Sequence, residues 1–144
     1  MGDAAVREWT QLIGSSSSDA VSSAPDGSVY ISGLTSEGQT NSNETDIDAF
    51  LSKYNRDGSK EWTQLLGTNS NTSAYTASSA VDGSVYITGD TRGNLDGQTN
   101  SGETDAFLSE YNSDGSKEWT QLVGSSDWDS ANSVSCAAVG RTAY

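Results

Sequence analysis

Histidine is absent from the 144 residues, and cysteine, proline and methionine occur once each. Without histidine, Ser-His-Asp and Cys-His nucleophile systems and His-ligated zinc or haem are excluded. The single cysteine, Cys136, can form no intrachain disulfide or thiolate cluster and does not indicate a redox compartment. Cations are scarce: seven Lys and Arg against twenty Asp and Glu leave a formal net charge of −13. Nucleic acids and anionic membranes bind basic surfaces, so neither is expected as a partner. No apolar run approaches the roughly 18 residues of a membrane span, and residues 1–9 carry no signal-peptide core. A helical 3.6-residue periodicity is missing throughout. Small and turn-forming residues are abundant instead, with 26 Ser, 14 Thr and 15 Gly in a length that fits one domain.

The order of the remaining residues is repetitive. Glu8-Trp9-Thr10-Gln11-Leu12-Ile13-Gly14 returns as Glu61-Trp62-Thr63-Gln64-Leu65-Leu66-Gly67 and as Glu118-Trp119-Thr120-Gln121-Leu122-Val123-Gly124, at Trp-to-Trp offsets of 53 and 57. Asp26-Gly27-Ser28-Val29-Tyr30-Ile31 recurs as Asp82-Gly83-Ser84-Val85-Tyr86-Ile87. Asp48-Ala49-Phe50-Leu51-Ser52 recurs as Asp105-Ala106-Phe107-Leu108-Ser109. Three landmarks in fixed order, twice over, make this a repeat protein.

Each period reads as four short strands. The first is Ser/Ala-rich (19–24, 73–81, 130–139), and the second is rich in Val, Tyr and Ile (28–33, 84–89), residues that suit a pleated surface. The third spans 48–54 and 105–111, and the fourth is the Trp-Thr-Gln segment. Asp-Gly pairs at 26–27 and 82–83 supply hairpin turns from first to second strand, and those within 55–59 and 112–116 join third to fourth. Val29 and Ile31 point to one face and Tyr30 to the other, so both faces are apolar enough to be covered. Tandem four-stranded meanders of about 40 to 57 residues predict an all-β chain of β-propeller blades rather than a solenoid.

At these residues the chain resembles the bacterial β-propeller repeat family of the SBBP type. The resemblance rests on the Asp-Gly-Ser-Val-Tyr-Ile-x-Gly, Thr-Asp-Ala-Phe-Leu-Ser-x-Tyr-Asn and Lys-Glu-Trp-Thr-Gln-Leu-x-Gly strands and runs from Glu8 to about Val139. It implies a large, often secreted or surface-associated context with no assigned activity, and no catalytic residues to carry over.

The expected layout of 1–144 is an orphan fourth strand (7–14), two complete blades (15–67 and 68–124) and a truncated third (125–144), about ten strands in all. The ending Ala138-Val139-Gly140-Arg141-Thr142-Ala143-Tyr144 is similar to 80–86 with one residue missing. Closed propellers have roughly four to eight blades, so one chain does not close a ring. Three outcomes follow: a ring closed by two or three chains, open filament-like stacks, or life inside a larger assembly; self-association through open blade edges is the expected role.

The loops between second and third strands, 34–47 and 90–104, carry oxygen donors. Gln39, Thr40, Asn41, Asn43, Glu44 and Asp46 lie in one, and Asn94, Asp96, Gln98, Thr99, Asn100, Glu103 and Asp105 in the other. Calcium takes six to eight such oxygens, which makes Asp46, Asp48, Asn94, Asp96, Asn100 and Asp105 the candidate ligands. Their spacing matches no EF-hand or nonapeptide loop, and solvated turns with Asx hydrogen bonds are the expectation. Calcium or carbohydrate binding by these loops is the alternative function, and no other cofactor is expected.

Trp9, Trp62 and Trp119 share one strand position and are expected to pack between repeats, whereas Trp128 has no counterpart and reads as a loop anchor or an exposed contact. Gly58-Ser59-Lys60-Glu61-Trp62 is similar to the Gly-x-x-x-Trp docking motif of quinoprotein propellers, but the ligand set of a quinone site is missing. The carboxylate pairs Asp46/Asp48 and Asp127/Asp129 are expected among twenty acidic residues, so glycoside hydrolysis and enzymatic activity in general are not expected. The sequons at Asn43 and Asn71 are read as unmodified, and Cys136 as a small buried strand residue.

Overall fold

A computed structural model describes residues 8–13, 16–36, 47–67 and 70–137. Within them are eight strands and no helix. The first sheet contains β1 (Ser16–Ser23), β2 (Val29–Thr35), β3 (Asp48–Tyr54) and β4 (Lys60–Leu66). The second contains β5 (Thr72–Ser79), β6 (Val85–Thr91), β7 (Asp105–Tyr111) and β8 (Lys117–Val123). Both are antiparallel meanders with strands in chain order, and neither closes on itself.

Four hairpins are built alike. In each, a backbone N–H three residues on closes a β-turn, Gly27, Gly58, Gly83 and Gly115 follow at φ of 87–93°, and a second bond seals the loop. This is the three-residue hairpin that needs a left-handed residue in third place, which glycine adopts without a Cβ penalty. Asp26, Asp57, Asp82 and Asp114 accept the N–H of the serine two residues on, each at 2.9 Å. Bulges fall at matching places, at Asp19 and Tyr75 in the first strands and at Glu61 and Glu118 in the fourth.

The sheets stack face to face. Tyr30, Ala49, Leu51 and Leu66 of the first meet Ala74, Ala77, Val85, Ile87, Phe107 and Tyr111 of the second in one buried cluster. Alternation therefore gives each sheet a trailing face toward the chain start and a leading face toward its end. Small residues on β5, such as Ala74 and Ala77, let the backbones come close.

The expectation of about ten strands is corrected to eight among the described residues. Segments 8–13 and 129–137 belong to no ladder. A fourth strand pairs with its own third strand and a first strand with its own second, and neither segment has that neighbour among the described residues. β1 also begins at Ser16, three residues before the expected start, because its ladder runs from Ser16 opposite Thr35.

Candidate association surfaces

The joint between the sheets centres on one tryptophan and one glycine. Trp62 lies on the leading face of the first sheet, opposite Lys53. Its indole covers Gly115 so closely that a Cβ there would stand 3.0 Å from the ring. Trp62 Nε1 donates to the Ser113 carbonyl at 3.0 Å, and Lys53 Nζ donates to the same oxygen at 3.0 Å. Tyr30 stacks on Trp62 at 5.9 Å with a 52° tilt, an offset geometry favoured by ring quadrupoles.

Lys53 is 6% exposed, and a buried ammonium needs partners. It has Glu61 at 2.8 Å, the Ser113 carbonyl and the Tyr30 ring at 5.9 Å. Burial pulls its pKa down, but the hydrogen bond to Glu61 and the nearby Tyr30 and Glu61 outweigh that, and the net shift is upward. Hydroxyls finish the joint. Ser79 Oγ donates to the Ser23 carbonyl at 2.7 Å, and its N–H donates to Ser22 Oγ at 3.0 Å.

The same devices appear at both ends of the stack. Trp9 covers Gly58, where a Cβ would meet the indole at 2.6 Å, and Trp9 Nε1 donates to the Arg56 carbonyl at 3.0 Å. Leu12 and Ile13 then overhang Phe50, Tyr54 and Leu65 on the trailing face of the first sheet, enclosing a cleft of about 670 Å³. At the other end, 129–137 crosses the leading face of the second sheet. Asp129 N–H donates to the Thr104 carbonyl at 2.8 Å, as Thr72 N–H does to that of Ile47. Cys136 N–H donates to Ser78 Oγ at 3.0 Å, as Ser79 N–H does to Ser22 Oγ. Segment 129–137 thus lies on the second sheet as β5 lies on the first, without a ladder of its own.

The described part of the polar loops is occupied with its own backbone. Asn94 Oδ1 accepts the Asn100 N–H, Asn100 Oδ1 the Gly102 N–H, and Asp105 Oδ2 the Ser101 N–H, at 2.7–2.9 Å. Asp96, at φ 50°, forms the turn with Gly97 and binds Lys117 at 2.5 Å. Asp48 and Asp105 are fully buried at the starts of β3 and β7, 57 positions apart. Asp46 and the residues named above from Gln39 to Glu44 lie outside the described residues. No group of three or more acidic or Cys side chains converges among the described residues. With Asp96 tied to lysine and the asparagine oxygens bound to N–H groups, few free oxygens are left for calcium.

Two contacts escaped the sequence reading. Gln98 reaches the outer edge of β8, where its Nε2 donates to the Thr120 carbonyl and its Oε1 accepts the Leu122 N–H at 2.7 Å. An amide side chain thus occupies an edge that would otherwise pair with another strand. The signal for it is the recurrence of Gly-Gln-Thr-Asn-Ser at 38–42 and 97–101. The second is a steric pairing: Asp48 and Asp105 carboxylates fill the space where Gly67 and Gly124 would carry a Cβ. That pairing explains why the Leu-x-Gly and Asp-Ala-Phe landmarks recur together.

The other candidates are dispersed. Trp128 is 58% exposed, bridged to Thr104 and stacked under the Arg92 guanidinium at 5.5 Å, so it is both anchor and surface. Asp129 accepts the Ser125 N–H at 2.6 Å while Asp127 is exposed, and Asn71 Oδ1 accepts the Ile47 N–H at 3.0 Å. Cys136 is half-buried. No family model and no curated protein matches the chain.

Proposed function

We propose that this chain is a non-enzymatic repeat module of β-propeller type, each four-stranded sheet a blade, whose role is to assemble with further copies of itself. One observation carries the reading: the tryptophan-and-glycine contact recurs at the chain-start end, where Trp9 covers Gly58 without a sheet behind it, and its tryptophan half stands alone at the other end. Trp119 stands on the leading face of the second sheet, stacked on Tyr86 at 6.2 Å and 57°, in the pose that Trp62 holds against Tyr30. Among the described residues Trp119 has no glycine turn before it. Leu108 and Val123 flank a cleft of about 410 Å³ on the same face, under segment 129–137. A face that resembles an internal joint and lacks the other half is suited to a second subunit.

The alternative, a calcium- or carbohydrate-binding role for the polar loops, has less support because Asn94, Asn100, Asp96 and one oxygen of Asp105 are engaged internally, which leaves Asp105 Oδ1 and the Thr104 hydroxyl unpartnered but buried. Sedimentation velocity across a hundredfold range of concentration tests the proposal. Mass rising with concentration supports assembly, and a folded monomer throughout would refute it.

A further inference from the structure

The joint has direction, and two positions differ between its inner and outer halves. Opposite the tryptophan, Lys53 in the first sheet is replaced by Glu110 in the second. In the turn, Ser113 of the inner joint is matched by Arg56 in the turn at 55–59. The two changes are complementary in charge. An Arg56-type turn set against Lys53 would bring two cations together, whereas against Glu110 it meets an anion.

Glu118, next to Trp119, adds a second carboxylate, one oxygen of which accepts from Asn112 Nδ2 at 2.5 Å. No cation pairs with Glu110 or Glu118 among the described residues, and Arg56 is exposed. The inner joint balances its charge with the Lys53–Glu61 pair, and the outer face presents only the acidic half.

We infer that the Trp119 face, framed by Glu110 and Glu118, docks the 55–59 turn of a second copy, with Trp119 over Gly58 and Arg56 toward the two glutamates. This rests on the self-assembly proposed above and specifies its surfaces. The contact is head-to-tail, so it closes a ring or grows a filament according to the rotation per subunit. It also contains its own brake. In the free chain Trp9 already covers Gly58 and segment 129–137 already lies where the first strand of a second copy would pack, so every docking event must displace a Trp9 and shift that segment.

The test uses one-sided variants of the whole chain. Trp119→Ala keeps the turn and loses the tryptophan face, and Arg56→Glu keeps the face and spoils the turn. Each is expected to remain monomeric where the wild type assembles, and an equimolar mixture to yield a 1:1 dimer that grows no further. Glu110→Lys serves as a second variant on the tryptophan side, and combining it with Arg56→Glu restores assembly. Trp9→Ala strengthens association by roughly tenfold or more, the factor to which about 1.4 kcal/mol corresponds.

Wild-type-like assembly of both one-sided variants would overturn this interface while leaving self-association in place. So would a mixture that stays monomeric beside an assembling wild type, or a Trp9→Ala chain that associates no more strongly. A wild type that is itself a folded monomer throughout refutes the self-assembly, and this interface falls with it.

Discussion

At Gly124 the side chain of Asp105 takes the volume that any Cβ would need, and Gly67 stands in the same relation to Asp48. Gly124→Ala is expected to destabilise the chain by about 1–3 kcal/mol, the usual cost of overfilling a packed site. Asp105→Ala costs a similar amount for a different reason, since it empties a fully buried position and removes the acceptor of the Ser101 N–H. The double substitution removes the clash it would otherwise suffer, so its cost falls below the sum of the two. Urea denaturation of the three variants reads this coupling directly. None of it was visible in the sequence beyond the bare recurrence of Asp and Gly, because the two residues of each pair lie 19 positions apart and meet only through the β3–β4 or β7–β8 ladder.

At the scale of the element, the four turns depend on ionised aspartates. Backbone and side-chain hydrogen bonds from Ser28 and Ser84 lower the pKa values of Asp26 and Asp82. Side-chain and backbone bonds from Ser59 and Ser116 do the same for Asp57 and Asp114. A carboxyl with a depressed folded pKa binds its proton more readily when unfolded, so its stabilisation is present above the unfolded value. It is lost as pH falls through the folded one. The thermal midpoint should therefore decline from about pH 4 downward. Replacing all four aspartates by asparagine, which still accepts the bond, should flatten that decline.

These turns and the strands they join were the most legible part of the chain. Asp-Gly-Ser fixes the bend locally, and β3 and β7 begin and end where the landmark residues place them. The first strand was less legible, since Ser16 to Ser18 have no alternation to read and become strand only by pairing with Thr35, Leu34 and Gly33. The Gln98 clamp was illegible for the same reason: its partners lie 22 and 24 residues away.

For the molecule as a whole, stability resides in the joint. Trp62→Ala removes the ring, the bond to Ser113 and the stacking on Tyr30, and is expected to cost about 3 kcal/mol, near the low end for a truncated aromatic because the site is half-buried. A lower denaturant midpoint would check it. The alkaline limit has a separate origin. Burial, then the hydrogen bond to Asp90, pushes the Tyr75 phenol to about 12, and burial with the Asp96 charge pushes Tyr111 up as well. Phenols with raised folded pKa values stabilise fully below the unfolded value, about 10, and lose that support as pH climbs toward the folded one. Tyrosinate absorbance and loss of strand signal should then rise together between about pH 10 and 12, and separate transitions would contradict this.

The spacing of the joint also bears on synthesis. Trp62 binds a carbonyl 51 residues further along the chain, and Lys53 reaches the same atom across 60. A ribosome therefore releases the whole first sheet with Trp62 and Lys53 lacking their carbonyl until the turn holding Ser113 has emerged, and with its apolar flank uncovered until β5 follows. During that interval neighbouring nascent chains on one messenger would expose matching flanks to each other, and slowing translation between the repeats would lengthen the exposure.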